Sequence, residues 1–522
     1  MQVLKTNRLD FYVQDEYNAN KDLKLTFGLR SNIIVFENTA LENKAITAMT
    51  FANGEKWNTG VMPKTQVLLE PRFGFNWDVK GQKKTQVRGG TGIFTGRPPY
   101  VFLSNQIGNN GVLTGFIDVS GTAAAGYGFT ANPNQYFIPS TPTLPSTFDL
   151  ALTDPDYKMP QVWKNNLAID QKLPWLGLVA SVELLYNQTL NAVHYYNANL
   201  KAPVGTLLGV DNRPLFGGTD ATVRVNNNVS MAAVLTNKNG AFNRSATFKL
   251  EKPISKGLWG YMAWTTANAK DYMDAGSIAS GSWQSAVSVY GNNVLNLSTS
   301  SNLVRNRIVG LLGYRKEYGK KYGGATTITL GYVGAQNNPF SYIVAGDLNG
   351  DRVSNNDLIY VPKNTADIRF AALTVGTRVY TEAEQQAAFD AFIKQDPYLS
   401  TRRGQYAERN ALALPFLHRF DLSVAQDLFV KIGGKRNAFQ IRADILNFGN
   451  MLNKDWGVSQ RAGAPQLLNF VSRDAAGVPT YRLATQRDAA GNTYLAKDTY
   501  QYNSSVFDVW TAQLGIRYTF GK

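Results

Sequence analysis

Oxygen-bearing side chains at alternate positions form the segment with the strongest chemical content in this 522-residue chain. Their spacing is that of positions 1, 3, 5 and 7 of a calcium-binding loop. The match is incomplete, because Arg352 replaces the usual glycine and Asp357 closes the loop at position 11 instead of 12. The segment therefore predicts either a Ca²⁺ site or a solvated turn rich in Asp and Asn. The candidate ligands are Asp347, Asn349, Asp351, the carbonyl of Val353, and Asp357.

The composition offers little for catalysis. The chain has no Cys and two His, His194 and His418. Disulfide scaffolds, thiolate catalysis and Cys-ligated metal sites are therefore excluded, and a Ser-His-Asp enzyme or a His-rich metal site has little to build on. The glycine-rich segment 89–92 (GGTG) lacks the Lys-Ser/Thr of a phosphate-binding loop. We expect a protein that is not an enzyme and requires no cofactor, with Ca²⁺ as its one candidate ion.

The net charge of +15 could indicate a nucleic acid partner. Much of the excess, however, lies in short turns such as 80–84 and 431–436. No basic helix or motif of stacking aromatic residues accompanies it. We therefore expect no nucleic acid partner.

Strands must position these residues, because alternation of apolar and polar residues dominates the sequence. In 510–520 every even-numbered position is apolar, and the odd-numbered ones are polar or glycine. Segments 67–79 and 23–30 repeat the pattern. About ten residues suffice for a tilted strand to cross a bilayer, whereas no apolar run reaches the roughly 18 residues of a membrane helix.

Short and long connections alternate strictly between these strands. A soluble sandwich or propeller also has one apolar face per strand, but it rarely contains structureless loops this long. Outer-membrane barrels have short periplasmic turns, long outer loops and aromatic girdles. We expect short turns at 18–22, 80–84, 171–177, 252–257, 318–324 and 431–437, and long loops at 31–66, 95–160, 193–240, 268–302, 337–412 and 449–508. The predicted girdle residues are Tyr12, Trp77, Trp163, Trp175, Tyr186, Trp510 and Tyr518.

The pattern predicts thirteen strands, in six hairpins and one final strand from Trp510. The hairpins begin near Leu9, Val67, Trp163, Phe242, Leu303 and Phe416. Single-chain bacterial barrels have an even number of strands, so we expect the carboxy-terminal portion of a larger barrel. Residues 1–10 also lack the apolar core of a signal peptide, although such a protein must be secreted.

The longest loop contains a helix signal. Thr381 and Glu384 form a capping box that predicts a short helix through Ile393, packed within that loop.

Charges on the polar strand faces are expected to line a wet interior as ion pairs, with ligand binding as the alternative. They are Arg30, Glu70, Arg72, Arg88, Arg419, Asp421, Arg442 and Asp444.

Residues 8–17 (RLDFYVQDEY) with 25–30 (LTFGLR) form a predicted strand pair. This pair resembles one found throughout the family of TonB-dependent outer-membrane receptors. Residues 70–75 (EPRFGF) with 87–94 (VRGGTGIF) resemble the next hairpin of its Oar-like and SusC-like subgroup, which carries an amino-terminal carboxypeptidase-regulatory-like domain. Further similar stretches are 346–362, 403–410, 420–422 and 445–450.

The resemblance implies an all-β transmembrane antiparallel β-barrel, with residues 1–522 as its carboxy-terminal part: about 13 strands of a probable 22, with long extracellular loops. It places the protein in the outer membrane of a Gram-negative bacterium, among lipid and lipopolysaccharide. The signal peptide, amino-terminal sandwich domain and plug would lie outside this sequence.

The resemblance also implies TonB-dependent active import of an oligosaccharide, peptide or chelate. TonB would act through the missing amino-terminal region, and a surface lipoprotein is a candidate partner. Two alternatives stay open: a passive porin of about 14 strands, and a surface adhesin or binding protein anchored by a barrel. Candidate ligand contacts are the loop aromatics Tyr100, Phe102, Tyr127, Phe129, Tyr136 and Phe137.

Overall fold

The computed structural model describes residues 3–97, 99–112, 121–136, 148–319, 322–336 and 338–520. Within these residues thirteen strands form one continuous antiparallel sheet in chain order, with β1 and β13 at its edges, and the two-residue strand Ser298–Thr299 also pairs with the eighth of them. The predicted number of strands is confirmed, although individual strands are as long as 17 residues. The strands are β1 Thr6–Asn20, β2 Leu23–Phe36, β3 Gln66–Val79, β4 Thr85–Thr95, β5 Gln161–Lys172, β6 Val179–Leu190, β7 Phe242–Ser255, β8 Leu258–Asp271, β9 Asn306–Gly319, β10 Tyr322–Gln336, β11 Phe416–Ile432, β12 Lys435–Leu446 and β13 Thr511–Thr519.

Short turns join the strands within the predicted hairpins, except that residues 320 and 321 of the predicted 318–324 turn lie outside the described residues. The β7–β8 turn has positive φ at both Lys256 (53°) and Gly257 (81°). Positive φ at both central residues is typical of the tight turns that match the twist of paired strands. A side chain at Gly257 would also meet the carbonyl oxygen of Arg315, since an added Cβ would lie 2.0 Å from it. The predicted alternation of short turns and long connections is confirmed.

Register places the apolar residues of neighbouring strands side by side. Leu250, Met262, Gly310, Tyr332 and Phe420 form one row across β7 to β11. We call this side of the sheet the apolar face and the opposite side the polar face.

Large side chains of the apolar face are exposed instead of packing against a second layer. Leu312 is 56% and Leu514 72% exposed. A soluble sandwich would cover such a surface, since monomeric soluble proteins rarely expose large contiguous apolar patches. The apolar face therefore fits contact with lipid.

One girdle residue was wrongly assigned. Tyr12 pairs with Arg30, and both lie on the polar face with Asp10. Trp77 and Tyr186 lie on the apolar face as predicted. The alternation of Leu9 and Val13 with Tyr12 already places Tyr12 on the opposite face, so its aromatic ring near a strand end was not sufficient to indicate a girdle position.

The buried apolar residues are concentrated in the long connections. Three clusters form there, centred on residues such as Trp283, Phe389 and Ile46. The connections thus build a folded body with its own cores. Its short strands are Phe148–Thr153, Ala192–Asn197, Gly205–Thr206, Pro214–Leu215, Val229–Lys238, Ser298–Thr299, Pro339–Phe340, Ile343–Ala345, Asp357–Leu358, Tyr360–Val361, Arg369–Phe370, Leu373–Val375, Arg378–Tyr380, Gln405–Tyr406, Leu412–Ala413, Gln460–Ala462, Gln466–Arg473, Pro479–Leu483, Thr485–Arg487, Thr493–Leu495 and Tyr500–Tyr502.

The helices are also in the connections: α1 Lys44–Ala48, α2 Val101–Gly108, α3 Asp220–Val223, α4 Ala279–Gln284, α5 Glu382–Gln395 and α6 Phe448–Leu452. The capping box of α5 is confirmed, with Thr381 and Glu384 bonded reciprocally. Its inner side, which includes Phe389 and Phe392, is fully buried. Among the described residues no helix is long and apolar enough to cross a membrane.

Candidate functional site

Most charges on the polar face are neutralised by a neighbouring strand residue. The Arg30 guanidinium lies 2.9 Å from Asp10, Arg88 3.2 Å from Asp170, and Arg442 2.8 Å from Asp444. Each pair includes one of the predicted polar-face charges, so the prediction of ion pairs along this face is confirmed. Such partly exposed pairs contribute at most about 1 kcal/mol each to stability.

Arg72 and Lys164 are cations on the same face that lack a close carboxylate and lie near each other. Arg72 has only Glu70, with 4.0 Å between the nearest nitrogen and oxygen, and Lys164 has no ion-pair partner among the described residues. Both lie over one aromatic ring, the Arg72 Cζ 5.4 Å and the Lys164 Nζ 5.6 Å from the centroid of Phe94. No sequence pattern singles out Lys164 or Phe94, because their proximity depends on the pairing of β4 with β5.

These three residues line a recess of about 560 Å³ on the polar face. Its floor is backbone, since Gly74 and Gly90 are paired neighbours on β3 and β4. Thr26, Asn166 and Asn187 add polar groups, and no carboxylate lines it. The recess therefore combines two positive charges, an aromatic surface and neutral hydrogen-bonding groups.

The 346–357 segment folds around Asp347. One oxygen of its carboxylate, Oδ1, accepts hydrogen bonds from the backbone N–H groups of Gly350 (2.8 Å) and Asp351 (3.1 Å), and Oδ2 accepts one from Arg352 (3.0 Å). This is an Asx-type loop, as the spacing of the acidic residues predicts. It is buried, however: Asn349, Asp351 and Asp357 are each at most 2% exposed. The predicted Asx-rich turn is thus present, but these three side chains are buried and not solvated.

Asp351 is surrounded by amide side chains. Its Oδ2 accepts hydrogen bonds from Asn349 Nδ2 at 3.1 Å and Asn356 Nδ2 at 3.4 Å, while its Oδ1 accepts the N–H of buried Val353 at 2.9 Å. The amide oxygen of Asn356 is buried without a hydrogen-bond partner among the described residues. Burial, helped by the charge of Asp357, raises the pKa of Asp351 to about 7.

The carboxylate of Asp357 is bonded to other groups of the protein. Its Oδ1 accepts a hydrogen bond from the fully buried Arg213 at 3.0 Å, and its Oδ2 accepts the N–H groups of Leu348 and Asn349. Arg213 also pairs with Asp211 at 2.9 Å. Burial nevertheless raises the pKa of Asp357, with Arg213 opposing the shift.

In the described part of the chain no three acidic or His side chains are grouped so as to hold a metal ion. Any bound Ca²⁺ would need the amide and carbonyl oxygens of this loop in addition to its carboxylates. The Ca²⁺ site remains a prediction.

Neither His is arranged for catalysis. The Nδ1 of His418 is bonded to the hydroxyl of Tyr332 at 2.7 Å, and that of His194 is buried with no hydrogen-bond partner in the described residues. Burial, with a contribution from the charge of Lys238, lowers the pKa of His194 to about 4.

The candidate aromatic ligand contacts divide into two groups. Tyr100 and Phe102 pack against a buried cluster, so their rings serve the core of the connections. Tyr127 and Tyr136 contact each other, with centroids 5.1 Å apart, and Phe129 is fully exposed. Phe137 lies outside the described residues.

Comparison with solved structures finds outer-membrane transporters at low similarity. They include the copper transporter OprC (8% identity, TM-score 0.38), covering 85% of this chain and 42% of that one. The FrpB iron transporter from Neisseria meningitidis is 10% identical, with a TM-score of 0.39; the match covers 86% of this chain and 42% of that one. The ferric enterobactin receptor PfeA mutant G324V from Pseudomonas aeruginosa is 9% identical, with a TM-score of 0.34; the match covers 98% of this chain and 54% of that one. The chain thus spans about half or less of their length, and similarity of this degree transfers no ligand.

Comparison with curated proteins finds no match. The family described as outer membrane beta barrel domain matches residues 2–464. Because that match covers most of the chain and agrees with the antiparallel sheet and its exposed apolar face, the protein belongs to the outer membrane β-barrel domain family and is located in the Gram-negative outer membrane.

Proposed function

We propose that the chain forms part of the wall and the ligand-binding loops of a TonB-dependent importer. The observation that carries this proposal is the division of the molecule between a sheet with a polar, charge-paired face and long connections folded around their own cores. A polar interior suits passage of a hydrophilic solute. Folded connections suit selective recognition of a ligand before it enters the barrel.

The finer assignment rests on the resemblance to Oar-like and SusC-like receptors. In this proposal a plug and an amino-terminal sandwich domain belong to the whole protein, and TonB pulls on the plug. A surface lipoprotein would assist capture of the ligand. Oligosaccharides, peptides and chelates are the candidate ligands, since Tyr rings and amide groups in the loops bind all three.

Uptake by cells separates this proposal from a passive porin and from an adhesin. Cells that lack the protein and cells that express the whole of it are given labelled maltoheptaose, a labelled tetrapeptide or iron-55 citrate, with and without a protonophore. We expect one probe to accumulate only in expressing cells and only without the protonophore. Accumulation that survives the protonophore would indicate a porin, and surface binding without accumulation would indicate an adhesin.

We also propose that the loop around Asp347 binds Ca²⁺ as a structural ion. The support is its Asx-type fold, its buried carboxylates and the unpartnered amide oxygen of Asn356. An added Ca²⁺ would allow the Asn side chains to turn their oxygens toward the ion.

Limited proteolysis during a Ca²⁺ titration tests this site. We expect Ca²⁺ to slow cleavage of the loop in the wild-type protein and not in the Asp347→Ala variant. Asp488→Ala is the matched control, because Asp488 also caps a turn, accepting hydrogen bonds from Asn492, but lies in another exposed loop. Equal cleavage of the wild type with and without Ca²⁺ would refute the site.

A further inference from the structure

Arg72 and Lys164 differ from Arg30, Arg88 and Arg442 on the same face in having no close carboxylate. Arg30, Arg88 and Arg442 each lie within about 3 Å of a carboxylate, as expected of cations in a partly desolvated wall. Arg72 and Lys164 instead lie near the same ring, that of Phe94. Two like charges held over one ring repel each other, and cation–π contacts of about 0.5–1 kcal/mol compensate only part of this.

Glu70 does not fill the role of counter-ion. It is 2% exposed, and its Oε1 has no hydrogen-bond partner among the described residues. Its closest approach to Arg72 is 4.0 Å, beyond hydrogen-bond distance. The guanidinium of Arg72 is therefore left with donors available to a second acceptor.

The shape of the recess leaves room for such an acceptor. Gly74 and Gly90 remove side chains from its floor, and the volume of about 560 Å³ is that of a small-molecule pocket. The side chain of Arg72 lies across Gly28 and Gly92, where an added Cβ would come within 2.8 Å and 3.0 Å of it. The glycines thus give the aliphatic stem of Arg72 room to lie against the wall.

We infer that this recess is a binding site for a small oxyanion, a ligand bearing carboxylate or phosphate groups. Arg72 binds the anion through its planar donors, and Lys164 adds a mobile positive charge. Thr26, Asn166 and Asn187 bind neutral parts of the ligand, and Phe94 contacts its apolar part. The inference rests on the proposed function in one respect, that the ligand must reach the polar face. It adds the chemical class of the ligand that passes there.

Binding of citrate and pyrophosphate to the whole protein in detergent micelles tests this site without transport. We expect both to bind, more weakly at high salt, and trimethyl citrate, a neutral molecule with the same skeleton, not to bind. Arg72→Gln and Lys164→Gln should each weaken binding about tenfold or more, the usual loss for one charge-assisted contact. Lys249→Gln is the matched control: Lys249 is on the same face, but it is paired with Glu251 and lies outside the recess.

Lys164→Gln keeps the test valid if Arg72→Gln fails to fold, because the Lys164 side chain is exposed. The inference is overturned if trimethyl citrate binds as tightly as citrate, or if Lys164→Gln binds like the wild type. Oxyanion binding without protonophore-sensitive uptake would leave the site standing and refute the importer. Protonophore-sensitive uptake with no oxyanion binding would refute the site and leave the importer standing.

Discussion

At the scale of single residues, His194 couples the folded connections to pH. It lies in the short strand Ala192–Asn197, 7% exposed, with its ring against Tyr272 and the ammonium of Lys238 above that same Tyr. The folded state holds its pKa near 4, below the ordinary 6.5. Between these two pH values the unfolded chain binds a proton at His194 and the folded chain does not. The free energy of unfolding therefore falls as pH drops from about 6.5 toward 4.

We expect the free energy of unfolding of the connections to decrease by about 2 kcal/mol between pH 7.5 and pH 5. Thermal unfolding of the wild type and of His194→Gln at the two pH values checks this. The variant should lose most of the pH dependence. An equal decrease in both proteins would show that other groups cause it.

Sequence reasoning found the residues of the acidic loop but not their contacts. The spacing of Asp347, Asn349 and Asp351 was sufficient to predict an Asx-rich loop. Asp357 pairs with Arg213, 144 positions away in the sequence, and no local pattern indicates such a partner. Burial of the loop likewise depends on chain segments that meet only in the folded protein.

At the scale of elements, the thirteen strands could be predicted because alternation directly records one apolar and one polar environment. The short strands of the connections could not. Phe148–Thr153, for example, pairs in parallel with Val229–Lys238, far along the chain. Pairings of this kind are set by packing of the loops, and their sequences carry no regular period.

The apolar face makes a prediction opposite to that for a soluble protein. Leu330, near the middle of β10, is 36% exposed, so a soluble sheet would tolerate Arg there. In a bilayer we expect Leu330→Arg to destabilise the protein by about 2–4 kcal/mol. The control is Thr329→Arg, which places the charge on the polar face and should cost much less. Urea unfolding in liposomes measures both.

A similar loss of stability in the two variants would contradict the assignment of the faces. A neutral effect of Leu330→Arg would indicate that β10 does not contact lipid.

At the scale of the whole molecule, the hydrophobic cores and the membrane-facing surface are separate. The sheet exposes Leu312 and Leu514, whereas Trp283 and Phe389 are buried in the connections. The two parts therefore meet different solvents, lipid for the sheet and water for the folded loops. This division agrees with a barrel wall whose connections bind ligand outside the membrane.

The central claim is that water contacts the polar face and lipid contacts the apolar face. Because the sequence has no Cys, a single introduced Cys is the one thiol of the chain and can report on either face. Single Thr329→Cys and Leu330→Cys variants in outer membranes are treated with a charged methanethiosulfonate and with a lipid-soluble maleimide. The account predicts that the charged reagent modifies Thr329→Cys alone and that the lipid-soluble one modifies Leu330→Cys. Modification of Leu330→Cys by the charged reagent, with Thr329→Cys protected, would contradict it.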